Sequence, residues 1–189
     1  DSLDADKFRN ITRTGKLSHV LDGIDAAREA GFRGIKINTV VMKGRNDEEI
    51  PELIEFARKK KVDISFIEEM PLGNTTAHDL KGAHLASHGI REILSQSYEL
   101  IESAYKTGGP SRYWTINGSN CKVGFISPHS HNFCDTCNRV RLTAEGRLLL
   151  CLGNEHSLDL REVVRRHPFD RQHLTDAIFH ALTLKPEKH

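Results

Sequence analysis

Three of the four cysteines of this 189-residue chain fall inside one stretch, SPHSHNFCDTCNRVRLTAEGRLLLCL, between Ser127 and Leu152. Cys134 and Cys137 stand three apart, close enough for both sulfurs to reach one metal site. Cys151 follows after thirteen residues that read as a hairpin around Ala144-Glu145-Gly146. A hairpin brings its two ends together, so this spacing commits the chain to a place where separate segments meet over soft ligands. Frequent burial of small sulfur side chains accounts for Cys121, which stands apart, but not for a C-x2-C pair with a third cysteine behind it.

Two forms of metal site suit this pattern. A structural zinc needs four ligands, and His129 or His131 could complete a Cys3His set. An iron-sulfur cluster held by three cysteines would leave one iron open to a substrate, and the lack of a fourth cysteine in the stretch favours this form. Arg139 and Arg141 follow the pair at strand spacing, where alternate side chains share a face. Exposed strand arginines need no special role, but guanidinium groups also grip phosphate and carboxylate in bidentate fashion, so an anionic ligand beside the metal is expected.

The rest of the chain alternates. Leu17, Val20, Leu21, Ile24 and Ala27 recur at helical spacing and predict a helix from about 17 to 30. GIKINTVV predicts a buried strand, Asp47 a cap for a helix carrying Ile50, Leu53, Ile54 and Ala57, and DISFIEEM another strand. That rhythm predicts βαβ units and a parallel sheet, open or curled into a barrel. Residues 71–86 read as a long loop, and Ser87 as the cap of a short helix before a strand at Tyr98–Glu102. From Lys106 the texture changes to short strands, RYWTI, KVGFIS, RVRLTA and RLLLCL, then two helices near 158–166 and 171–184. The expected division is therefore 1–105, an α/β portion, and 106–189, a small antiparallel module around the cysteines.

On the first strand Lys36 and Asn38 point away from Ile35 and Ile37, and a lysine in a parallel strand reaches either solvent or an anion. Met70, Glu68 and Glu69 end the next strand, where ligands of α/β folds gather, although a methionine there is more often packing and the pattern does not choose between the glutamates. A net charge of +1 argues against nucleic acid and anionic membrane as partners. No apolar run approaches the ~20 residues of a membrane span and no signal-peptide pattern opens the chain, so a cytoplasmic location is expected.

The block FCDTCNRVRLTAEGRLLLCL, with GGPSRYW and VGFISPHSHNF before it and LDLREVVR after it, resembles the C-terminal part of the GTP 3′,8-cyclase family. These are radical S-adenosylmethionine (SAM) enzymes that begin molybdenum cofactor biosynthesis; SLD, IKIN, KGRND and FIEEMPLG extend the likeness over the whole chain. The resemblance implies an incomplete β/α (TIM-like) barrel followed by a cluster module. It implies that Cys134, Cys137 and Cys151 ligate an auxiliary 4Fe-4S cluster whose open iron binds the guanine of GTP. Arg139, Val140, Arg141 and Lys36 would contact GTP, and Met70 the adenosyl part of SAM. A deoxyadenosyl radical would take the ribose 3′ hydrogen, and the carbon radical would attack C8. A homodimer is a candidate assembly.

Three departures accompany the likeness. The family's radical-generating C-x3-C-x2-C motif, with its second 4Fe-4S cluster, and its terminal Gly-Gly tail are absent from this sequence, and Ser65 stands where some relatives carry a substrate-binding arginine. The chain is accordingly expected to be a fragment, inactive by itself. The rival readings are a zinc-stabilised binding module without catalysis and a radical SAM protein with a peptide substrate, against which the paired arginines speak for a nucleotide.

Overall fold

A computed structural model describes residues 1–70, 84–153 and 156–186, which divide into two compact units, Asp1–Asn132 and Phe133–His189.

The first unit opens with helix α1 (Ala5–Thr12), begun by Asp4, whose carboxylate accepts from the amides of Asp6 and Lys7. Helix α2 (Leu17–Glu29) runs over the expected span, ahead of strand β1 (Lys36–Val41). Helix α3 (Ile50–Lys60) follows with Ile50, Leu53, Ile54 and Ala57 buried, the stripe their spacing requires. Its start differs from expectation. Asp47 begins a short 3-10 turn and its carboxylate closes the preceding loop on the Gly44 amide at 2.6 Å, because Pro51 already suits the helical N-terminus without a side-chain cap. Strand β2 (Asp63–Glu68), helix α4 (Ser87–Ser95) and strand β3 (Leu100–Ser103) complete the alternating part.

Strands β4 (Arg112–Ile116) and β5 (Lys122–Ile126) belong to the same sheet, in the order β1-β2-β5-β4-β3. β1, β2 and β5 are parallel, whereas β4 runs antiparallel to both β5 and β3. This corrects the expectation that RYWTI and KVGFIS build the cysteine module. The change of texture at Lys106 marks where the sheet turns antiparallel, and Val123 and Phe125 are buried on the same face as Ile64 and Phe66 because β5 inserts beside β2. Those four side chains, with Ile54, Ile90 and Leu94 from the helices, form the core.

The second unit is a three-stranded antiparallel sheet, β6 (Arg141–Leu142), β7 (Arg147–Leu149) and β8 (Ser157–Asp159), with helices α5 (Leu160–Arg166) and α6 (Arg171–Thr183). The expected hairpin turn is present: Gly146 sits at φ +83° and its amide donates to the Thr143 carbonyl at 2.9 Å. Asp159 and Asp170 cap the two helices through the amides of Glu162 and His173. Leu148, Leu150 and Ala181 are its buried cluster. Among the described residues no helix is long and apolar enough to cross a membrane.

Candidate functional site

In the second unit Cys134–Thr136 forms one 3-10 turn, closed by the Cys137 amide donating to the Cys134 carbonyl at 3.1 Å. The tight turn holds the two cysteines of the pair at its two ends. Arg139 lies just beyond, its guanidinium 5.1 Å from the centre of the Phe133 ring. Burial pushes the Cys137 thiol up, but hydrogen bonds from the Arg139 backbone and side chain, with the charges of Lys185 and Arg139, outweigh it and hold the thiol below its ordinary pKa. Only Arg141–Leu142 is strand here, so the pleat does not impose a common face on Arg139 and Arg141; both are exposed, as is Val140.

Lys185 was not visible as a site residue in the sequence. Its ammonium donates to the Arg139 carbonyl at 2.7 Å and the Leu150 carbonyl at 3.0 Å, and lies 3.7 Å from the Cys137 sulfur. These acceptors flank the C-x2-C pair on one side and Cys151 on the other. A lysine at the end of a helix commonly satisfies its last carbonyls; this one instead reaches carbonyls of other segments. Among the described residues no three His, Cys, Asp or Glu side chains converge as the ligands of a single metal ion. Cys134, Cys137 and Cys151 are the soft sulfur donors of this unit, and Lys185 and Arg139 beside Cys137 set positive charge where a bound anionic group would sit.

In the first unit the sheet face that carries Lys36, Asn38, Ser65 and Tyr113 joins polar groups to an apolar row of Val40, Ile67 and Ile126. Lys36 donates to the Tyr113 hydroxyl at 3.1 Å, and the fully buried Ser65 bonds Ser111 at 3.0 Å. Both serines close over Gly124, where a Cβ would collide with their hydroxyls, so glycine is required for this pairing. Burial pushes the Tyr113 hydroxyl up, but hydrogen bonds with Thr107, Lys36 and Ser111 and the Lys36 charge bring it below the ordinary phenol value. Met70 is half-buried two residues past β2.

The two glutamates are now distinguished. Glu68 is fully buried and its carboxylate accepts from the amides of Ser87 at 2.7 Å, His129 at 3.0 Å and Ser130 at 3.0 Å, and from the Ser130 hydroxyl. Burial raises the acid, and these four donors outweigh it, taking the pKa down to about 2. Ser87, expected to cap α4 by its side chain, gives its amide to Glu68 and its hydroxyl to Ser127 at 2.6 Å. Long-range acceptors displaced the local cap. Cys121 is a core residue, its thiol donating to the Val62 carbonyl at 3.2 Å and pushed up to about 11 mainly by burial.

Residues 62–189 match the Molybdenum Cofactor Synthesis C family. The chain belongs to that family. Residues 1–57 match the Radical SAM superfamily. Curated relatives named GTP 3′,8-cyclase align with the whole chain: the protein of Marinobacter nauticus is 68% identical over 189 residues, and those of Pseudomonas fluorescens and Ectopseudomonas mendocina are 57% and 53% identical. In each case the chain spans 57% of the relative's own length. The Molybdenum Cofactor Synthesis C match begins at Val62, immediately before β2, and so takes in most of the mixed sheet as well as the cysteine loop.

Proposed function

We propose that the chain is part of a GTP 3′,8-cyclase, acting in the conversion of GTP to 3′,8-cyclo-7,8-dihydro-GTP at the first step of molybdenum cofactor biosynthesis. The observation that carries this is the three-cysteine loop with Lys185 and Arg139 against Cys137, in a chain alike over its whole length to relatives of that name. Cys134, Cys137 and Cys151 hold an auxiliary 4Fe-4S cluster, which when bound supplies an open iron that can ligate the guanine. Lys36, Arg139, Val140 and Arg141 are the GTP contacts, the cationic side chains neutralising its phosphates.

Met70 packs on the adenosyl part of SAM. The mixed sheet is part of an incomplete β/α barrel, and the face that carries Lys36 and Tyr113 is the inner one, so the Tyr113 hydroxyl orients the Lys36 ammonium toward the anion. The buried Ser65–Ser111 pair takes the place of an arginine, leaving the phosphates to the remaining cations. Hydrogen abstraction from the ribose also needs the C-x3-C-x2-C motif, which these residues do not contain.

Anaerobic purification with iron, sulfide and zinc analysis tests the reading, followed by electron paramagnetic resonance of the reduced protein with and without GTP. About four irons per chain and a spectrum altered by GTP are expected. Stoichiometric zinc without sulfide, persisting after iron-sulfur reconstitution, would replace it with a zinc-stabilised binding module.

A further inference from the structure

An ammonium has three N–H donors, and a lysine held within a protein is costly unless they are used. Lys185 meets three acceptors: the carbonyl of Arg139, two residues after Cys137; the carbonyl of Leu150, immediately before Cys151; and the Cys137 sulfur itself, at 2.7, 3.0 and 3.7 Å. Its root is firm. Ala181, one helical turn earlier on α6, is fully buried in the cluster with Leu148 and Leu150, and the Lys185 amide continues the helix end by donating to the Leu182 carbonyl at 3.2 Å. The helix is thus packed on the strand that leads to Cys151, and its last cation reaches across to the segment that carries the C-x2-C pair.

We propose that Lys185 is the positioning residue of the three-cysteine site, fixing the separation of Cys137 from Cys151 and setting a positive charge and an N–H donor against the Cys137 sulfur. The inference rests on the cluster reading above. Three thiolates give the bound cluster a net negative charge that grows on one-electron reduction, so a fixed cation beside one sulfur favours the reduced form and raises the midpoint potential. Arginine keeps the charge, but its planar fork does not reproduce three donors from one nitrogen.

The test compares the reconstituted protein with Lys185→Met, which keeps the stem and loses charge and donors, and Lys185→Arg. Iron release to a chelator should be on the order of 10–100-fold faster in the methionine variant, with the arginine variant between. The midpoint of the iron retained, read by electron paramagnetic resonance during a redox titration, should move to lower potential in the methionine variant and less in the arginine variant. Leu158→Ala, which thins the packing against Leu148, Leu150 and Ala181 and leaves the Lys185 acceptors in place, should lower the melting temperature and leave the midpoint unchanged.

Wild-type release and midpoint in Lys185→Met would overturn the proposal. Faster release with an unmoved midpoint would overturn it too, leaving Lys185 a structural tie only. A wild-type protein that takes up zinc and no sulfide would instead overturn the cluster reading; zinc release in Lys185→Met, unchanged from wild type, would then overturn the positioning role as well.

Discussion

Among the described residues, fifteen buried apolar side chains of Asp1–Asn132 pack into one cluster, whereas in Phe133–His189 the buried cluster is Leu148, Leu150 and Ala181, with Phe169 and Phe179 exposed. At roughly 1.5–3 kcal/mol for each large apolar side chain buried, the first core can hold a fold together and the second can contribute only a few kcal/mol. Units below ~70–80 residues usually need a disulfide, a metal or a partner in addition. The second unit is also fastened by polar ties, the caps at Asp159 and Asp170 and the three contacts of Lys185, of which the last reach the cysteine segments. The difference teaches that the three-cysteine loop lies in the unit with the smaller apolar core, so that a cluster bound there, as proposed above, would couple binding to folding.

Four changes test this contrast. Removing the proposed cluster from the reconstituted protein, by chelation or by Cys134→Ala with Cys137→Ala, should have the largest effect: amide protection in 133–189 is lost while 1–132 keeps its own, as read by hydrogen exchange. Equal loss in both units would erase the contrast. Phe66→Ala should cost about 3–5 kcal/mol in urea unfolding of the first unit, as expected for an aromatic that is fully buried.

Glu68 supplies a pH signature confined to the first unit. Its folded pKa, about 2, lies below the ordinary 4.5, so the carboxylate contributes stability that is fully present above pH 4.5 and is lost as pH falls toward 2. A first unit that keeps about 2–3 kcal/mol more stability at pH 6 than at pH 2.5, with most of the difference removed in Glu68→Gln, is the expected result. A similar acid loss in the variant would show that the four donors matter little. The smallest change is Gly124→Ala, which sets a methyl against Ser65 and Ser111 and should cost about 1–3 kcal/mol, relieved in part by Ser65→Gly.

Much of the local structure was legible in the sequence. The α2 and α3 stripes, the strands KINTVV and DISFIE, the hairpin at Gly146 and the Asp170 cap each depend on residues close to one another in the chain. Two expected caps failed for different reasons: the Asp47 carboxylate closes on the Gly44 amide of its own loop, and the Ser87 hydroxyl is taken by Ser127 from a distant segment. RYWTI and KVGFIS were legible as strands but not as neighbours of β1 and β2, since alternation marks a buried face and not which sheet buries it.

The cysteine spacing, the cap residues and the periodicities are properties of the chain itself, and they set the elements and the chemical character of the site. The tertiary structure decided the partners. Lys36 meets Tyr113 across 77 residues, Glu68 meets Ser130 across 62, and Lys185 meets Cys137 across 48. Each of these contacts depends on strand register or on the seating of a helix, and both are settled by the burial of whole apolar faces, so no local pattern around Lys185 or Glu68 announces the group it will bind.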